Sequence, residues 1–183
     1  MADIYIGLMS GTSVDSIDCV TLDLSTEEIN VLNCKNFQIP IGLREDIIKS
    51  SQLENLEQDL IDDLDFRMAE VLVDSVKEII SNSNLEVKDI KAIGSHGQTI
   101  KHEPKSENPY TLQIGDPQKI SNDLNVTTVG NFRDDDIAAG GEGAPLTPVF
   151  HNKVFGSDRK SKAIVNIGGI TNITALNYTE LIG

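Results

Sequence analysis

Apolar and polar positions alternate through the first forty residues. Ile4, Ile6 and Leu8 form one alternating set, Ile17, Cys19, Leu22 and Leu24 another. A period of two is the mark of a half-buried strand. It predicts strands over Asp3–Met9, Ile17–Leu24 and Ile29–Ile39, an antiparallel meander closed by Pro40 and Gly42. The period then changes. Leu53, Leu56, Leu60, Leu64, Met68, Leu72, Val76 and Ile79 recur at three and four residues, which predicts a long helix over roughly Leu53–Ile80 lying on one face of the sheet. Glu54, Glu57, Asp62, Asp63, Glu70 and Lys77 make its solvated side.

Ile90–Gly94 reads as a buried strand running into a turn, Ser95-His96-Gly97-Gln98-Thr99. Tyr110–Ile114 is a short hairpin strand, Pro117–Leu124 a helix with Pro in its first turn, and Val126–Val129 a further strand. The stretch from Gly130 to Pro148, rich in Gly, Asp and Ala, is too long and too unusual for a plain connector. A short helix over Thr147–Phe155 follows, then strands Ala163–Gly168 and Ile170–Leu176 around Gly168-Gly169. The expected architecture is α/β: a lobe with a mixed sheet of about five strands, the first three antiparallel, spanning residues 1–160. Residues 161–183 open a second lobe with a hairpin like the first. Two glycine- and hydroxyl-bearing hairpins in equivalent positions suggest a ligand gripped from both sides of a cleft.

Between the first two strands lies Gly11-Thr12-Ser13-Val14-Asp15-Ser16. Such a turn can aim several N–H groups and hydroxyls at one point, as an anionic phosphate tail requires. No Lys follows the glycine and no helix opens after it, so it is not a P-loop. An ordinary hairpin turn, rich in Gly, Ser and Asp for its own geometry, accounts for the segment equally well when taken alone.

Charge and composition narrow the partners. Fifteen basic against 29 acidic residues give a formal charge of −14, a field that opposes nucleic acid and anionic lipid. A polyanionic ligand must then be held by local N–H dipoles, a metal ion or one placed Arg. Within the 183 residues no apolar run approaches the ~18 that a membrane-spanning helix needs, and no basic segment leading into an apolar core marks the N-terminus as a signal peptide. Cys19 and Cys34 sit in separate strands, which fits reduced thiols and a cytoplasmic location.

Four runs, in order, resemble the anhydro-N-acetylmuramic acid kinases of bacterial cell-wall recycling, members of the actin-like and sugar-kinase superfamily. They are Gly7–Asp18 (GLMSGTSVDSID), Gly94–Thr99 (GSHGQT), Asn131–His151 (NFRDDDIAAGGEGAPLTPVFH) and Val165–Ile173 (VNIGGITNI). The resemblance covers essentially the whole chain, and its third run is long enough to be specific. It implies an actin-like lobe and a kinase using ATP and Mg²⁺. That enzyme opens the 1,6-anhydro ring with water while phosphorylating O6, giving N-acetylmuramic acid 6-phosphate.

On this resemblance Gly11, Thr12, Ser13, Val14, Asp15, Ser16, Ile17 and Asp18 form the first ATP-binding turn, with Gly168 and Gly169 its counterpart. Asp15 and Asp18 either orient the turn or reach Mg²⁺ through water. Arg133 is the donor fork for the lactyl carboxylate or sugar hydroxyls, the alternative being a surface ion pair with Asp134 or Asp135. Asp136 would accept from a sugar hydroxyl, and Gly140, Gly141 and Gly143 would let the loop pass close to the sugar. His96 is either a sugar contact or a structural hydrogen-bonder; His102 and His151 are expected to be structural.

Three departures stand out. The chain ends at Leu181-Ile182-Gly183, about where the family's Asp-Thr-Gly-Pro run with its catalytic base begins, so no base is assigned and the chain alone is expected to be inactive. A non-catalytic single-lobe binding module is the alternative. Ser16 stands where the family usually has Gly, a position where φ > 0 would cost on the order of 1 kcal/mol. Glu142 replaces a Gln. An incomplete second lobe would leave Ile164, Ile167, Ile170 and Ile173 to be covered by disorder, strand swapping or a homodimer contact.

Overall fold

The structure of the protein, a computed structural model, describes residues 2–157, 160–167 and 171–177, and the backbone of 181 and 182. The chain divides into two compact units: Met1–Glu103 with Tyr110–Phe132, and Pro104–Pro109 with Arg133–Gly183.

The first unit is built on a six-stranded mixed sheet. β1 (Ile4–Ser10), β2 (Ser16–Asp23) and β3 (Asn30–Gln38) form the expected antiparallel meander. β4 (Ile90–Glu103) lies parallel to β1 on its other side, and β5 (Tyr110–Ile114) runs antiparallel to the far half of β4. β6 (Thr128–Val129) pairs in parallel with the near half of β4. The path is thus β3-β2-β1-β4-β5 with β6 attached to β4.

The strand β4 corrects the sequence reading. Gly97 does not close a turn; the strand continues through it and changes partner there, from β6 to β5. The residue has φ +66, and a Cβ on it would lie 2.4 Å from the Ile114 carbonyl oxygen. Only glycine meets both conditions.

A second correction concerns the helices. The long helix α2 (Gln58–Ser81) is preceded by a separate helix, α1 (Ile41–Gln52), with Pro40 at its N-cap. Only Leu43, Ile47 and Ser50 of α1 are buried, and two apolar residues are too few to register as periodic. On α2, by contrast, Leu64, Met68, Leu72, Val76 and Ile79 are all buried at helical spacing. They pack with Ile4, Ile6 and Leu8 of β1 and Ile17 and Cys19 of β2 into one core. Burial pushes the Cys19 thiol up to about 12, so it stays protonated and packs as a small hydrophobe. α3 (Pro117–Leu124) follows, capped by the Asp116 carboxylate, which accepts from the Gln118 and Lys119 amides.

In the second unit, α5 (Pro148–Phe155) packs on a sheet of β7 (Lys162–Asn166), β8 (Asn172–Leu176) and β9 (Leu181–Ile182). β7 and β8 pair as the expected antiparallel hairpin. The glycine-rich run, too unusual in sequence for a plain connector, begins with a short helix, α4 (Phe132–Ala138), none of whose residues is buried. Ile167 and Ile173 are exposed, Ile164 is partly covered, and Ile170 lies outside the described residues.

Candidate functional site

The β1–β2 turn is closed by a hydrogen bond from the Val14 amide to the Gly11 carbonyl (3.1 Å). Val14, at φ +52, carries the left-handed conformation expected at Ser16, while Ser16 opens β2 in an ordinary conformation. A β-branched residue rarely adopts that region. It does so here with its side chain 4% exposed, seated in the core. The side chains of Val14 and Ile17 therefore face inward, and with Ile17 wholly buried neither residue offers a side chain to a ligand at this turn. Thr12, Ser13, Asp15 and Asp18 are exposed.

The Ser13 hydroxyl donates to Asp15 (2.9 Å), and this bond is the main reason the Asp15 carboxyl lies below its ordinary value. Asp18 accepts from the Asn36 side-chain amide on β3. Arg44 of α1 reaches the Ser13 carbonyl at 3.4 Å, a long contact that brings a positive charge to the turn. Nothing in the sequence flagged Arg44, because its helix did not register as one.

The parallel pairing of β1 with β4 brings the first two sequence runs side by side. Gly7 stands opposite Gly94 and Ser10 opposite Gln98. Ser10 and Gln98 are fully buried, and the Ser10 hydroxyl donates to the Gln98 side-chain carbonyl at 2.6 Å. His96 follows Ser95 on the same strand, with its Nδ1 donating to the Gly97 carbonyl at 2.9 Å.

Beside this strand opens a cleft of about 460 Å³, whose walls include Asp65, Ser95, His96, Gln113, Asp116 and Asn131. Asp65, on α2, accepts from the Gly115 amide at 2.8 Å. Burial, reinforced by the neighbouring Asp116 and Asp62 charges, raises its carboxyl above the ordinary range. Of these wall residues only His96 was a candidate from sequence. Asp65 was concealed by sitting one position from the apolar stripe of a helix whose polar face reads as solvated.

In the second unit, Arg133 Nη1 donates to the Gly143 carbonyl (2.6 Å) and Asp136 accepts from the Gly143 amide (2.7 Å). The Asp136 carboxylate also fills the space a Cβ on Gly141 would need, 2.1 Å away. Gly140 and Gly143 have φ of +95 and +67. Arg133 is partly buried, and loss of hydration lowers its guanidinium from the ordinary value. Glu142 pairs with Lys105 at 3.2 Å. His151 shares a hydrogen bond with Thr174 and His102 with Thr111, ties that hold α5 to β8 and β4 to β5. Gly168 and Gly169 lie outside the described residues.

Among the described residues no group of three or more His, Cys, Asp or Glu side chains is placed to hold a metal ion. A Mg²⁺ bound chiefly by phosphate oxygens and water, as is usual for that ion, fits such a turn better than a protein cage. No helix among the described residues is long and apolar enough to cross a membrane.

Residues 3–182 match the family described as Anhydro-N-acetylmuramic acid kinase. A protein of that name from Vibrio vulnificus (strain CMCP6) is 39% identical over 180 residues, which are 97% of this chain and 48% of the relative. The one from Aliivibrio fischeri is 40% identical over 172 residues, 94% of this chain and 47% of the relative. The chain thus spans about half the length of the curated relatives it matches. In fold it is similar to the Aquifex aeolicus member of the Ppx/GppA family, with a TM-score of 0.50 at 7% identity, over 100% of this chain and 50% of that one. This places the mixed α/β architecture in the actin-like ATPase fold class.

Proposed function

The chain belongs to the anhydro-N-acetylmuramic acid kinase family, and from that premise we propose that it supplies the phosphate turn and sugar contacts of an ATP-dependent kinase of 1,6-anhydro-N-acetylmuramic acid. The reaction would add water across the anhydro bond and place the γ-phosphoryl group on O6. The observation that carries the reading is the pairing of β1 with β4, which sets the Gly11–Asp18 turn beside the Ser95–Gln98 segment under one buried hydrogen bond.

The chain's own residues have distinct tasks in this reading. Gly11, Thr12 and Ser13 offer main-chain N–H groups and hydroxyls to the nucleotide's terminal phosphates, at a turn held in shape by the buried Val14 side chain. Asp15 and Asp18 are exposed carboxylates at the same turn, suited to accept from water bound to Mg²⁺. Arg133 directs its donor fork at the sugar's lactyl carboxylate, Asp136 accepts from a sugar hydroxyl, and His96 is a further sugar contact. Gly140, Gly141 and Gly143 keep the loop bare of side chains where the sugar would approach. MgATP, when bound, supplies the phosphoryl group and neutralises charge on it.

Two measurements test the reading. The chain should bind MgATP, with amide signals of Gly11–Asp18 shifting in a nitrogen-15 spectrum. Joined to the C-terminal half of the Vibrio vulnificus relative, it should convert the anhydro sugar to a 6-phosphate with oxygen from labelled water at C1. An ATP-silent turn, or a hybrid that folds and hydrolyses ATP without phosphorylating the sugar, would overturn it.

A further inference from the structure

Arg44 sits where a cation is out of place. Its amide donates to the Pro40 carbonyl at 2.9 Å and closes the first turn of α1. That is the end of a helix where the peptide dipoles leave a partial positive charge and a cation is disfavoured. The two acids that follow it are engaged elsewhere, Glu45 with Lys49 at 3.9 Å and Asp46 with Arg67 at 2.8 Å. Arg44 itself forms no salt bridge among the described residues.

What the guanidinium does touch is the β1–β2 turn. Nη2 donates to the Ser13 carbonyl at 3.4 Å, well beyond the ~2.7–2.9 Å of a charged hydrogen bond to an anion. A guanidinium carries five N–H donors, and one long contact to a neutral carbonyl uses little of that capacity. Nor is Arg44 the main partner of Asp15. The Asp15 carboxyl is held below its ordinary range chiefly by the Ser13 hydroxyl, with Arg44 a smaller influence.

The helix that carries Arg44 is firmly placed. Leu43 and Ile47 are buried in the core, and Arg67 ties Asp46 to α2. At the far end Lys101 of β4 donates to the carbonyls of Ser51 (3.2 Å) and Leu53 (2.5 Å). The partly buried Arg44 side chain is thus aimed at the turn by a fixed scaffold. The turn needs that charge. It carries two exposed carboxylates, Asp15 and Asp18, in a chain of formal charge −14. Main-chain dipoles alone set partial charges against a polyphosphate and these acids; Arg44 sets a whole one.

We propose that Arg44 is a phosphate ligand of the β1–β2 turn, leaving the Ser13 carbonyl to pair with a terminal oxygen of a polyphosphate seated on Gly11–Ser13. That the polyphosphate belongs to ATP rests on the kinase reading above; the role of Arg44 rests on its own setting. Little is lost in the exchange, because the contact given up is long and its carbonyl returns to water.

The test is calorimetric titration of the 183-residue chain with MgATP and, separately, with magnesium tripolyphosphate. Both should bind the parent. Arg44→Gln should weaken both by roughly 10–100-fold, the loss of one charged hydrogen bond, and Arg44→Lys should restore part of it. Added NaCl should weaken binding to the parent more steeply than to the glutamine variant, which a residue that merely shapes the turn would not produce. The melting temperature of Arg44→Gln should be equal or higher, since a cation leaves a helix N-terminus. Arg44→Ala serves if the glutamine variant fails to fold. Tripolyphosphate that does not bind the parent, equal affinity of parent and variant, or weaker binding with an unchanged salt slope would each overturn the assignment. MgATP bound equally by parent and variant would sink Arg44 and spare the kinase reading. Tripolyphosphate bound through Arg44 while MgATP stays silent would do the opposite.

Discussion

Arg133 donates to the carbonyl of Gly143 at 2.6 Å, across ten positions of the most glycine-rich stretch of the chain. Asp136 grips the amide of the same residue at 2.7 Å. The two side chains named as sugar contacts therefore also close the loop on itself. A loop with positive φ at Gly140 and Gly143 has much conformational freedom to lose, and these two bonds fix it in advance.

Arg133→Ala therefore acts on the loop and on the sugar together. In a hybrid completed with the C-terminal half of a relative, kcat/KM for the anhydro sugar should fall by roughly 10–100-fold, as expected when one charged hydrogen bond is lost. The KM for ATP should hold. Arg133→Lys, which keeps the charge but not the planar fork, should recover only part of the loss. Steady-state kinetics with each substrate varied in turn decide it: an ATP KM that rises while sugar kinetics survive would remove Arg133 from the sugar.

Gly97→Ala tests the pivot at which β4 changes partner. The methyl group would press on the Ile114 carbonyl at 2.4 Å in a conformation, φ +66, that alanine resists. A loss of about 2–4 kcal/mol is expected from strain and overlap together. Urea unfolding followed by circular dichroism would measure it, and a variant as stable as the parent would mean that β4 does not pass Gly97 as described.

These two positions also show where the sequence was legible. The antiparallel meander, α2, β5 and α3 were readable because each carries a clean period or a strong boundary, such as Asp116-Pro117 at the start of α3. β4 was cut short because Gly97 looks like a turn residue, and nothing local reports that a strand on either side will hold it extended. α1 has three buried residues and α4 has none, so neither carries a period to find. The Gly11–Asp18 turn and the Arg133–Gly143 loop stood out as motifs. The cleft did not, because Asp65, Ser95, Gln113 and Asn131 converge only through the pairing of β4 with its neighbours.

The buried bond between Ser10 and Gln98 should behave as a coupled pair. Ser10→Ala leaves the Gln98 carbonyl without that donor inside the core, at a cost of about 1–3 kcal/mol. Replacing both, as Ser10→Ala with Gln98→Leu, should cost less than the sum of the single changes. A double-mutant cycle on unfolding free energies measures the coupling. Strict additivity would show that the two side chains do not depend on each other.

Asp65 predicts a pH dependence of defined sign. Its carboxyl lies above the unperturbed 3.8, chiefly because α2 and the cleft wall withdraw it from water, with Asp116 and Asp62 adding like charge. The folded chain therefore binds its proton more tightly than the unfolded chain. Stability from this group is full below pH 3.8 and is lost as pH rises through the folded value. Asp15 and Asp23 shift the other way, so the whole protein's profile mixes opposing slopes. Asp65→Asn isolates one of them: the amide carbonyl can still accept from the Gly115 amide, but there is no charge to desolvate. The melting-temperature difference, variant minus parent, should grow from acid to neutral pH and level off above the folded value. A difference that stays constant across that range, or shrinks, would show that Asp65 ionises as freely in the folded chain as in the unfolded one.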